Sequence, residues 1–296
     1  MKVKNKMETM NTQMNPNPKA AASTQPMVLD HDLHIHSQLS LCSSDPAQTP
    51  ARILQYAKEN GLCEICLTDH CWDESVPHCM SFYREQGIAH LCRALPLPQA
   101  DGIRFHFGCE TDLNKYMELG LSPAHMDRFA WIVIPTTHLH MVGDALDEKD
   151  TQLDRLADLY VRRIDAVLRM DLPFHKTGLA HLTTSLLAQG RWEEHMTVLD
   201  SIPDATFREL FERAARLGMG IELNINVEDY REDELERVLR VYRIAHDCGC
   251  RFYFGSDAHH PEPLFTGGAK KRFAVLAALL DLRESDRFRP AYDDGL

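Results

Sequence analysis

The chain has 296 residues, of which 44% are hydrophobic and 26% are charged, so it has enough apolar material for a sizeable core. It carries 44 Asp and Glu against 32 Lys and Arg, a net charge of −12, and no basic block that could follow a nucleic-acid backbone. These values exclude long nucleic acid as an expected partner. The longest apolar runs, such as 273–280, are too short to span a bilayer and no signal-peptide pattern opens the chain, so we expect a cytoplasmic protein with no membrane partner.

The nine cysteines are odd in number and irregularly spaced, which is unlike a secreted disulfide framework and predicts reduced thiols. Cys63 and Cys66 form a CxxC pair, but the sequence has no second pair to complete a zinc site. We therefore interpret these two thiols as core packing, which is the usual role of a free cysteine.

The predicted elements begin after a tail. Residues 1–26 are rich in Met, Asn, Gln, Thr, Pro and Ala without any regular apolar period, which predicts a disordered N-terminal segment. Short apolar runs then predict seven strands, at 28–35, 62–68, 103–109, 131–136, 178–182, 219–225 and 252–255. Amphipathic stretches predict helices at 51–60, 151–169, 205–217, 232–248 and 268–280. The alternation of strand and helix predicts a parallel sheet, either wound into a barrel or left open.

The first predicted strand ends in Asp32-Leu33-His34-Ile35-His36-Ser37. Residues two apart on a strand point to the same face, with Cα atoms roughly 6.6 Å apart, so His34 and His36 can converge on one ion. An HxH pair by itself is weak evidence, because buried histidines also occur as packing residues.

The other strand ends carry further residues of the types that bind metals. In chain order they are Asp69, His70, Glu110, His138, His181, Asp257 and His259. Strand ends of a parallel barrel lie at one face of the molecule, where catalytic groups gather. The recurrence of these residue types at one phase of the strand-helix period therefore predicts a single metal-binding pocket.

Three motifs together resemble the polymerase and histidinol phosphatase (PHP) domain family, over roughly residues 28–262. They are Asp32-Leu33-His34-Ile35-His36-Ser37, Thr68-Asp69-His70 and Ser256-Asp257-Ala258-His259, accompanied by Glu110, His138 and His181. The resemblance implies an α/β fold, a distorted seven-stranded TIM-like (β/α)7 barrel, in a single domain at 27–296. It also implies two to three divalent metal ions, which would be zinc, manganese or iron.

The resemblance assigns four residues to the first ion: His34, His36, Glu110 and Asp257. Glu110 would bridge to a second ion, which also takes His138 and His181. A third ion would take His70, His259 and the residue six positions after His36, which is often histidine in the family and is Cys42 here. A thiolate at this position would favour zinc over manganese or magnesium, and the alternative is that Cys42 is a bystander.

Three carboxylates, Glu110, Asp257 and Asp69, are the candidate catalytic groups. Asp69, or alternatively Asp32, would orient a histidine ligand through its second ring nitrogen, unless it caps a turn or a helix start. The cations Arg104, Lys115, Lys176 and Arg272 are interpreted as surface charges rather than contacts to a phosphate.

The function implied by the resemblance is a metal-dependent phosphoesterase that uses metal-activated hydroxide on a small phosphomonoester. Its partner would be a small phosphorylated metabolite, and histidinol phosphate is the named substrate that the family suggests. Three alternatives stay open: a phosphodiesterase acting on nucleotides or short oligonucleotides, a non-catalytic metal-binding or regulatory protein, and an amidohydrolase-type barrel. No GxSxG or GxxxxGK[ST] motif indicates a different nucleophile or a nucleotide-phosphate loop.

Overall fold

The computed structural model describes residues 23–43, 45–188, 191–265 and 267–292. Most of the predicted N-terminal tail, residues 1–22, lies outside the described residues, so its disorder stays a prediction. At the start of the described chain, Pro26 forms an antiparallel bridge with Arg283. The backbone N–H of Met27 also donates to the carbonyl oxygen of Leu282 at 3.1 Å. These contacts tie the beginning of the domain to a segment close to its C-terminal end.

The strands form two parallel sheets. The described residues contain β1 (His31–Ile35), β2 (Glu64–Leu67), β3 (Arg104–Phe107), β4 (Cys109–Glu110), β5 (Ile132–Pro135), β6 (Thr177–Ala180), β7 (Gly220–Leu223) and β8 (Arg251–Phe254). The sheet orders are β1-β2-β3 and β4-β5-β6-β7-β8, and all neighbouring strands are parallel. The predicted α/β fold with parallel strands is confirmed.

The predicted third strand, 103–109, is divided between the two sheets at Gly108. The backbone N–H of Gly108 donates to the carbonyl oxygen of Leu67 at 2.8 Å, whereas that of Cys109 donates to the carbonyl oxygen of Trp131 at 3.1 Å. A Cβ atom on Gly108 would lie only 2.5 Å from the Trp131 carbonyl oxygen. The chain therefore changes sheets at a residue without a side chain, and eight strands are described where the sequence predicts seven.

Backbone hydrogen bonds join the two sheets in two places. At one edge, the N–H of His36 donates to the carbonyl oxygen of Ala258 at 3.0 Å, and the N–H of Asp257 donates to that of His34 at 2.8 Å. On the other side, just beyond the end of β2, the N–H of Glu110 donates to the carbonyl oxygen of Asp69 at 3.1 Å. The resemblance implies a distorted seven-stranded barrel, whereas the described residues form two adjoining parallel sheets of three and five strands.

Eight α-helices are present in the described ranges. They are α1 (Pro50–Asn60), α2 (Ile88–Leu91), α3 (Leu153–Val167), α4 (Trp192–Ser201), α5 (Asp204–Leu217), α6 (Glu232–Asp247), α7 (Pro261–Phe265) and α8 (Gly268–Leu279). The five predicted helices are confirmed as α1, α3, α5, α6 and α8, while α2, α4 and α7 were not predicted. Within the described part of the chain, no helix combines the length and the apolar character needed to cross a membrane.

The bounds of α1 follow from its end residues. The side chain of Thr49 accepts a hydrogen bond from the backbone N–H of Arg52, which satisfies one of the N–H groups left without an intrahelical partner. Pro50 occupies the first turn, where its missing N–H costs nothing. Gly61 ends the helix with φ at 63°, a left-handed conformation that glycine adopts without strain.

Residues from both sheets enclose an inner cluster of buried side chains. Its members are Leu33, Cys66, Trp131, Val133, Ala180, Tyr253 and Phe288. Helices α3, α5 and α6 contribute their apolar faces to a separate and larger core. The buried Cys66 thiol is consistent with the predicted packing role of the CxxC pair, whereas Cys63 is only partly buried.

We expect Gly108→Ala to lower the free energy of unfolding by about 1–3 kcal/mol, because the added methyl group must displace strand backbone. Urea denaturation followed by circular dichroism would measure the change. Gly102→Asn is the control, since Gly102 has φ at 76° with open space around it and asparagine tolerates this conformation. Equal losses in both variants would show that crowding at Gly108 is not the cause.

Candidate metal centre

The nine predicted metal-binding residues lie at the carboxyl ends of strands or in the loops that follow them. His34 belongs to β1 and Glu110 to β4, and the others follow β1, β2, β5, β6 or β8: His36, Cys42, His70, His138, His181, Asp257 and His259. Three of the nine are exposed or partly exposed, namely Cys42, Asp257 and His259, and the others are buried. The cluster therefore has a buried floor and one side that faces solvent.

The four residues that the resemblance assigns to the first ion converge. His34 Nε2 lies 3.7 Å from Glu110 Oε1 and 3.5 Å from Asp257 Oδ1. His36 Nε2 lies 3.4 Å from Glu110 Oε2 and 3.2 Å from Asp257 Oδ1. Donors bound tetrahedrally at the usual zinc–ligand lengths are about 3.3–3.6 Å apart, so these separations fit four ligands around one ion.

The ring nitrogens of His34 and His36 provide a chemical test of this fit. His34 Nδ1 donates to Glu222 Oε1 at 2.6 Å, since an ionised carboxylate can only accept. His36 Nδ1 donates to Ser40 Oγ at 2.9 Å, and Ser40 Oγ in turn donates to Asp69 Oδ1 at 2.6 Å. In a neutral ring with Nδ1 as the hydrogen-bond donor, Nε2 presents a lone pair, and the two Nε2 atoms lie 3.0 Å apart. Two neutral rings held in this way can both bind one cation through Nε2, so the donor set fits a bound metal ion.

Glu110 occupies the middle of the cluster. Its Oε1 lies 3.1 Å from His181 Nε2, and its Oε2 lies 2.8 Å from His70 Nδ1. Glu110 Oε2 and His70 Nδ1 are both buried and have no partner in hydrogen-bonding geometry, so both are available to an ion. Burial would raise the pKa of Glu110, but the nearby His70 and His34 rings outweigh it and hold that pKa well below its usual value.

His138 and His181 form a second part of the cluster beside Glu110. Their rings stack with centroids 5.0 Å apart. His138 Nδ1 donates to Asp112 Oδ2 at 2.8 Å, which leaves its Nε2 as the free donor atom. The predicted second site, Glu110 with His138 and His181, is therefore brought to one place. His140, which could face the same space, lines the same cavity.

The predicted third site lies on the solvent side. The His36 and His259 rings stack with centroids 4.2 Å apart, and those of His36 and His70 are 4.5 Å apart. His259 Nδ1 donates to the carbonyl oxygen of Asp257 at 2.8 Å, which leaves Nε2 free. Burial would raise the pKa of the Cys42 thiol, but its contacts with the His259 and His70 rings outweigh this and lower the pKa to about 7.

Among the residues that the structure describes, three sets of donor atoms are compact enough to hold an ion, with all atoms of a set within 4.8 Å of one another. The sets are His34, His36 and Asp257; His34, Glu110 and His181; and His36, His70 and His259. Cys42 and His138 border these sets without belonging to them. His34 and His36 each belong to two of these sets, whereas the resemblance assigns both of them to the first ion alone.

Asp69 and Asp32 act at different distances from the ligands. Asp69 accepts hydrogen bonds from Ser37 and Ser40 and reaches the His36 ring only through Ser40. Asp32 accepts from the backbone N–H of Ser256 at 2.9 Å, so it supports the loop that carries Asp257 rather than a histidine ring. Neither carboxylate lies in the compact donor sets.

Two carboxylates that orient ligand rings, Glu222 and Asp112, were missed from the sequence. Glu222 is a fully buried residue of β7, and its second oxygen accepts from the backbone N–H of His181 at 2.8 Å. A Cβ atom on Gly255 would lie 2.0 Å from Glu222 Oε1, so the loop after β8 can approach only as glycine. Asp112 also pairs with the fully buried Arg163, at 2.6 Å. The available signal for Glu222 was a charged residue inside an otherwise apolar strand pattern.

Backbone strain coincides with two of the candidate ligands. Five non-glycine residues in the described ranges have positive φ, and among them are His181 at 34° and Asp257 at 54°. Such conformations cost roughly 1–3 kcal/mol and persist where surrounding contacts impose them, commonly at functional sites. Here the Glu222 carboxylate fixes the backbone of His181, and the bond from Asp257 N–H to the His34 carbonyl oxygen fixes that of Asp257.

Comparisons with known proteins bear on the fold and on the family. A structure of histidinol phosphate phosphatase from Lactococcus lactis subsp. lactis Il1403, complexed with zinc, L-histidinol and phosphate, matches with a TM-score of 0.60 at 15% identity. The match covers 86% of this chain and 94% of that chain, and it supports the fold. A triazine hydrolase from Arthobacter aurescens matches at a TM-score of only 0.31 and 13% identity, over 79% of this chain and 61% of that one, so it carries no argument. The search of curated proteins finds no match.

The sequence model of the PHP domain matches residues 32–281, which contain every candidate ligand. This match spans most of the chain and includes both sheets almost completely. The chain belongs to the PHP domain family.

Proposed function

We propose that this protein is a metal-dependent phosphoesterase that hydrolyses a small phosphomonoester. The observation that carries the proposal is the convergence of His34, His36, Glu110 and Asp257, in which five pairs of donor atoms are 3.0–3.7 Å apart. Two further donor sets share these residues, and a cavity of about 590 Å³ opens onto them. Family membership supports the same chemistry.

The donors would hold two to three divalent ions. The residues proposed to bind them are His34, His36, Cys42, His70, Glu110, His138, His181, Asp257 and His259. Bound divalent ions would supply Lewis acidity, which activates water as the nucleophile and neutralises charge on a phosphoryl group. Zinc, manganese and iron are the candidate metals, because imidazole and carboxylate donors suit all three.

The proposed ligands would offset only a small part of the positive charge that bound ions carry. Most of the proposed ligands are neutral imidazoles, and the two carboxylates, Glu110 and Asp257, offset only two charges. Three divalent ions would leave roughly +4 if Cys42 stays neutral, which attracts a phosphate dianion despite the overall charge of −12. Glu110 is the proposed bridging group, and Asp257 shapes the exposed side of the site. Asp69 contributes only through Ser40 and His36.

A nucleophilic role for Cys71 does not fit the geometry. Cys71 is the candidate, because it follows His70 directly in the sequence. Its side chain is fully buried, away from the cavity that opens onto the donors. Because Cys42 is proposed as a metal ligand, in-line attack by water, without a covalent enzyme intermediate, is the proposed reaction.

A substrate panel tests the proposal directly. Phosphate release would be measured on metal-loaded protein with small phosphomonoesters, including histidinol phosphate, which the resemblance suggests. Nucleotide phosphodiesters and amides form two comparison groups. Release from phosphomonoesters alone would support the proposal, whereas tightly bound metal without turnover of any substrate would refute it.

Glu110→Gln should lower kcat by more than about 100-fold and reduce the amount of bound metal. The reason is that the amide replaces the negatively charged ligand proposed to bridge the first and second ions. Metal analysis and phosphate release on the same sample would show this. Glu209→Gln, on an exposed part of α5, is the matched control. Full activity of the Glu110 variant would rule out the bridging role.

Glu222→Gln should weaken metal affinity by about 10–100-fold while the protein stays folded, because an amide can no longer both orient His34 and accept from the His181 backbone as a carboxylate does. Competition against a chelator gives the affinity, and circular dichroism checks the fold. Unchanged affinity would mean that Glu222 serves the fold alone.

Cys42→Ser should shift bound metal from zinc towards manganese, because it removes the soft thiolate ligand. Cobalt-loaded wild-type protein should show a thiolate-to-cobalt charge-transfer absorption that the variant lacks. Cys42→His should restore metal binding without this absorption, and Cys248→Ser, which changes a thiol outside the site, should keep it. If wild-type protein has no such absorption, Cys42 is a bystander.

A further inference from the structure

Two cavities meet at the candidate metal centre and share Cys42, Asp257 and His259 as lining residues. One has a volume of about 590 Å³ and is called the Phe82 cavity here, after one of its apolar lining residues. The other has a volume of about 800 Å³ and is lined by the first turns of α8, so it is called the α8 cavity. A bound phosphoryl group at the metal centre would leave the rest of a substrate to enter one of them.

Arg272 distinguishes the α8 cavity. The sequence predicts it as a surface charge, but its side chain is partly buried and lines this cavity. Its Nη2 donates to the carbonyl oxygen of Ser256 at 2.9 Å, one residue before Asp257. The guanidinium also lies over the Phe273 ring, with its central carbon 5.6 Å from the ring centroid. It is therefore held beside the metal centre by a neutral carbonyl group and an aromatic ring, neither of which carries a negative charge.

No carboxylate within the described ranges forms an ion pair with Arg272, and its Nε is buried without a hydrogen-bond partner. The neighbouring cation, Lys271, differs, because its Nζ lies 3.2 Å from Glu228 Oε1. A buried donor without a partner destabilises the folded protein, and a bound acceptor removes this cost. Gly268 and Ala269, at the positive end of the α8 dipole, line the same cavity and favour a negative group in the same way.

The Phe82 cavity has the opposite character. Besides the candidate ligands and His140, its lining is mainly apolar, with Phe82, Met141, Val142 and Leu186. Its acidic residue, Asp144, accepts a hydrogen bond from the backbone N–H of Ser81, and no lysine or arginine lines the cavity. A second acidic group on a substrate would therefore be drawn to Arg272 and not to this side.

We infer, on the basis of the proposed function, that the substrate is a phosphomonoester carrying a second acidic group, which binds Arg272 in the α8 cavity. The acidic group is a carboxylate or a second phosphate, since a guanidinium accommodates both through paired N–H donors. Arg272 is then a specificity-determining residue, and the phosphoryl group to be cleaved lies at the metal centre.

Non-hydrolysable probes test the inference without requiring turnover. Calorimetry on metal-loaded protein would compare alkylphosphonates with phosphonoalkanoates, alkylene bisphosphonates and aminoalkylphosphonates of matched length, with about two to four methylene groups. We expect one acidic series to bind at least about tenfold more tightly than the alkylphosphonates, and the amine series to show no such gain. The stronger acidic series identifies whether carboxylate or phosphate is preferred.

Arg272→Gln should reduce this preference to less than about twofold, and Arg272→Lys should keep part of it. Lys271→Gln removes the same charge from the adjacent position and should leave the preference intact. Thermal unfolding would verify that all three variants are folded. Loss of the preference in the Arg272 variant, with retention in the Lys271 variant, would support the inference.

The opposite outcomes are distinct. Equal affinity of the wild-type protein for acidic probes and alkylphosphonates would overturn the inference. It would also be overturned if Arg272→Gln weakened the binding of acidic probes and of alkylphosphonates by the same factor. Phosphate release from simple phosphomonoesters by the same preparation would then leave the proposed function standing. Failure of every phosphonate to bind, together with no phosphate release, would overturn both.

Discussion

Backbone hydrogen bonds hold the two sheets together next to the ends of β1 and β4, and the candidate metal centre lies between these two seams. The seam at β1 carries His34, His36 and Asp257, and the seam at β4 carries Glu110. Each ligand is thus attached to backbone whose N–H and carbonyl groups are already paired across a sheet boundary. The donor atoms can approach to 3.0–3.7 Å only because both seams are formed at once.

A buried cluster of imidazoles and carboxylates would be unstable if each ring could choose its own orientation. The structure restricts that choice by giving the far nitrogen of each ring a partner: Glu222 for His34, Ser40 for His36 and Asp112 for His138. Each of these partners accepts a hydrogen bond from the ring Nδ1–H, which in a neutral ring leaves Nε2 with a free lone pair. The cost of burying the Asp112 carboxylate is offset by its ion pair with Arg163. These contacts prepare the site for a cation before any ion binds.

Charge is distributed unevenly around the centre, and this matters more for a substrate than the overall charge of −12. The floor contains histidine rings and two carboxylates. One adjoining cavity contains the Arg272 guanidinium, and the other is mainly apolar, with Asp144 as its acidic residue besides the candidate ligands. Interactions in such partly enclosed spaces are screened less than those at the open surface. The two sides of the centre therefore offer different environments to the two ends of a substrate. The loop after β8 carries Asp257, and the carbonyl oxygen of Ser256 in that loop accepts from Arg272. This loop therefore contacts both the metal centre and the α8 cavity.

The sequence by itself determined the alternation of strand and helix, and it determined that ligand-type residues follow successive strands, as His34 and Glu110 do. Both are local patterns, since periodicity and strand ends depend on residues close together in the chain. Tertiary structure decided what depends on distant residues. The strand divides at Gly108 because the backbone of Trp131 lies against that residue. Glu222 orients His34 because folding brings together two residues that are 188 positions apart. Arg272 Nε has no hydrogen-bond partner because the fold buries it away from any acceptor. A single sequence carries no distances between such residues, so these features emerge only when the chain is folded.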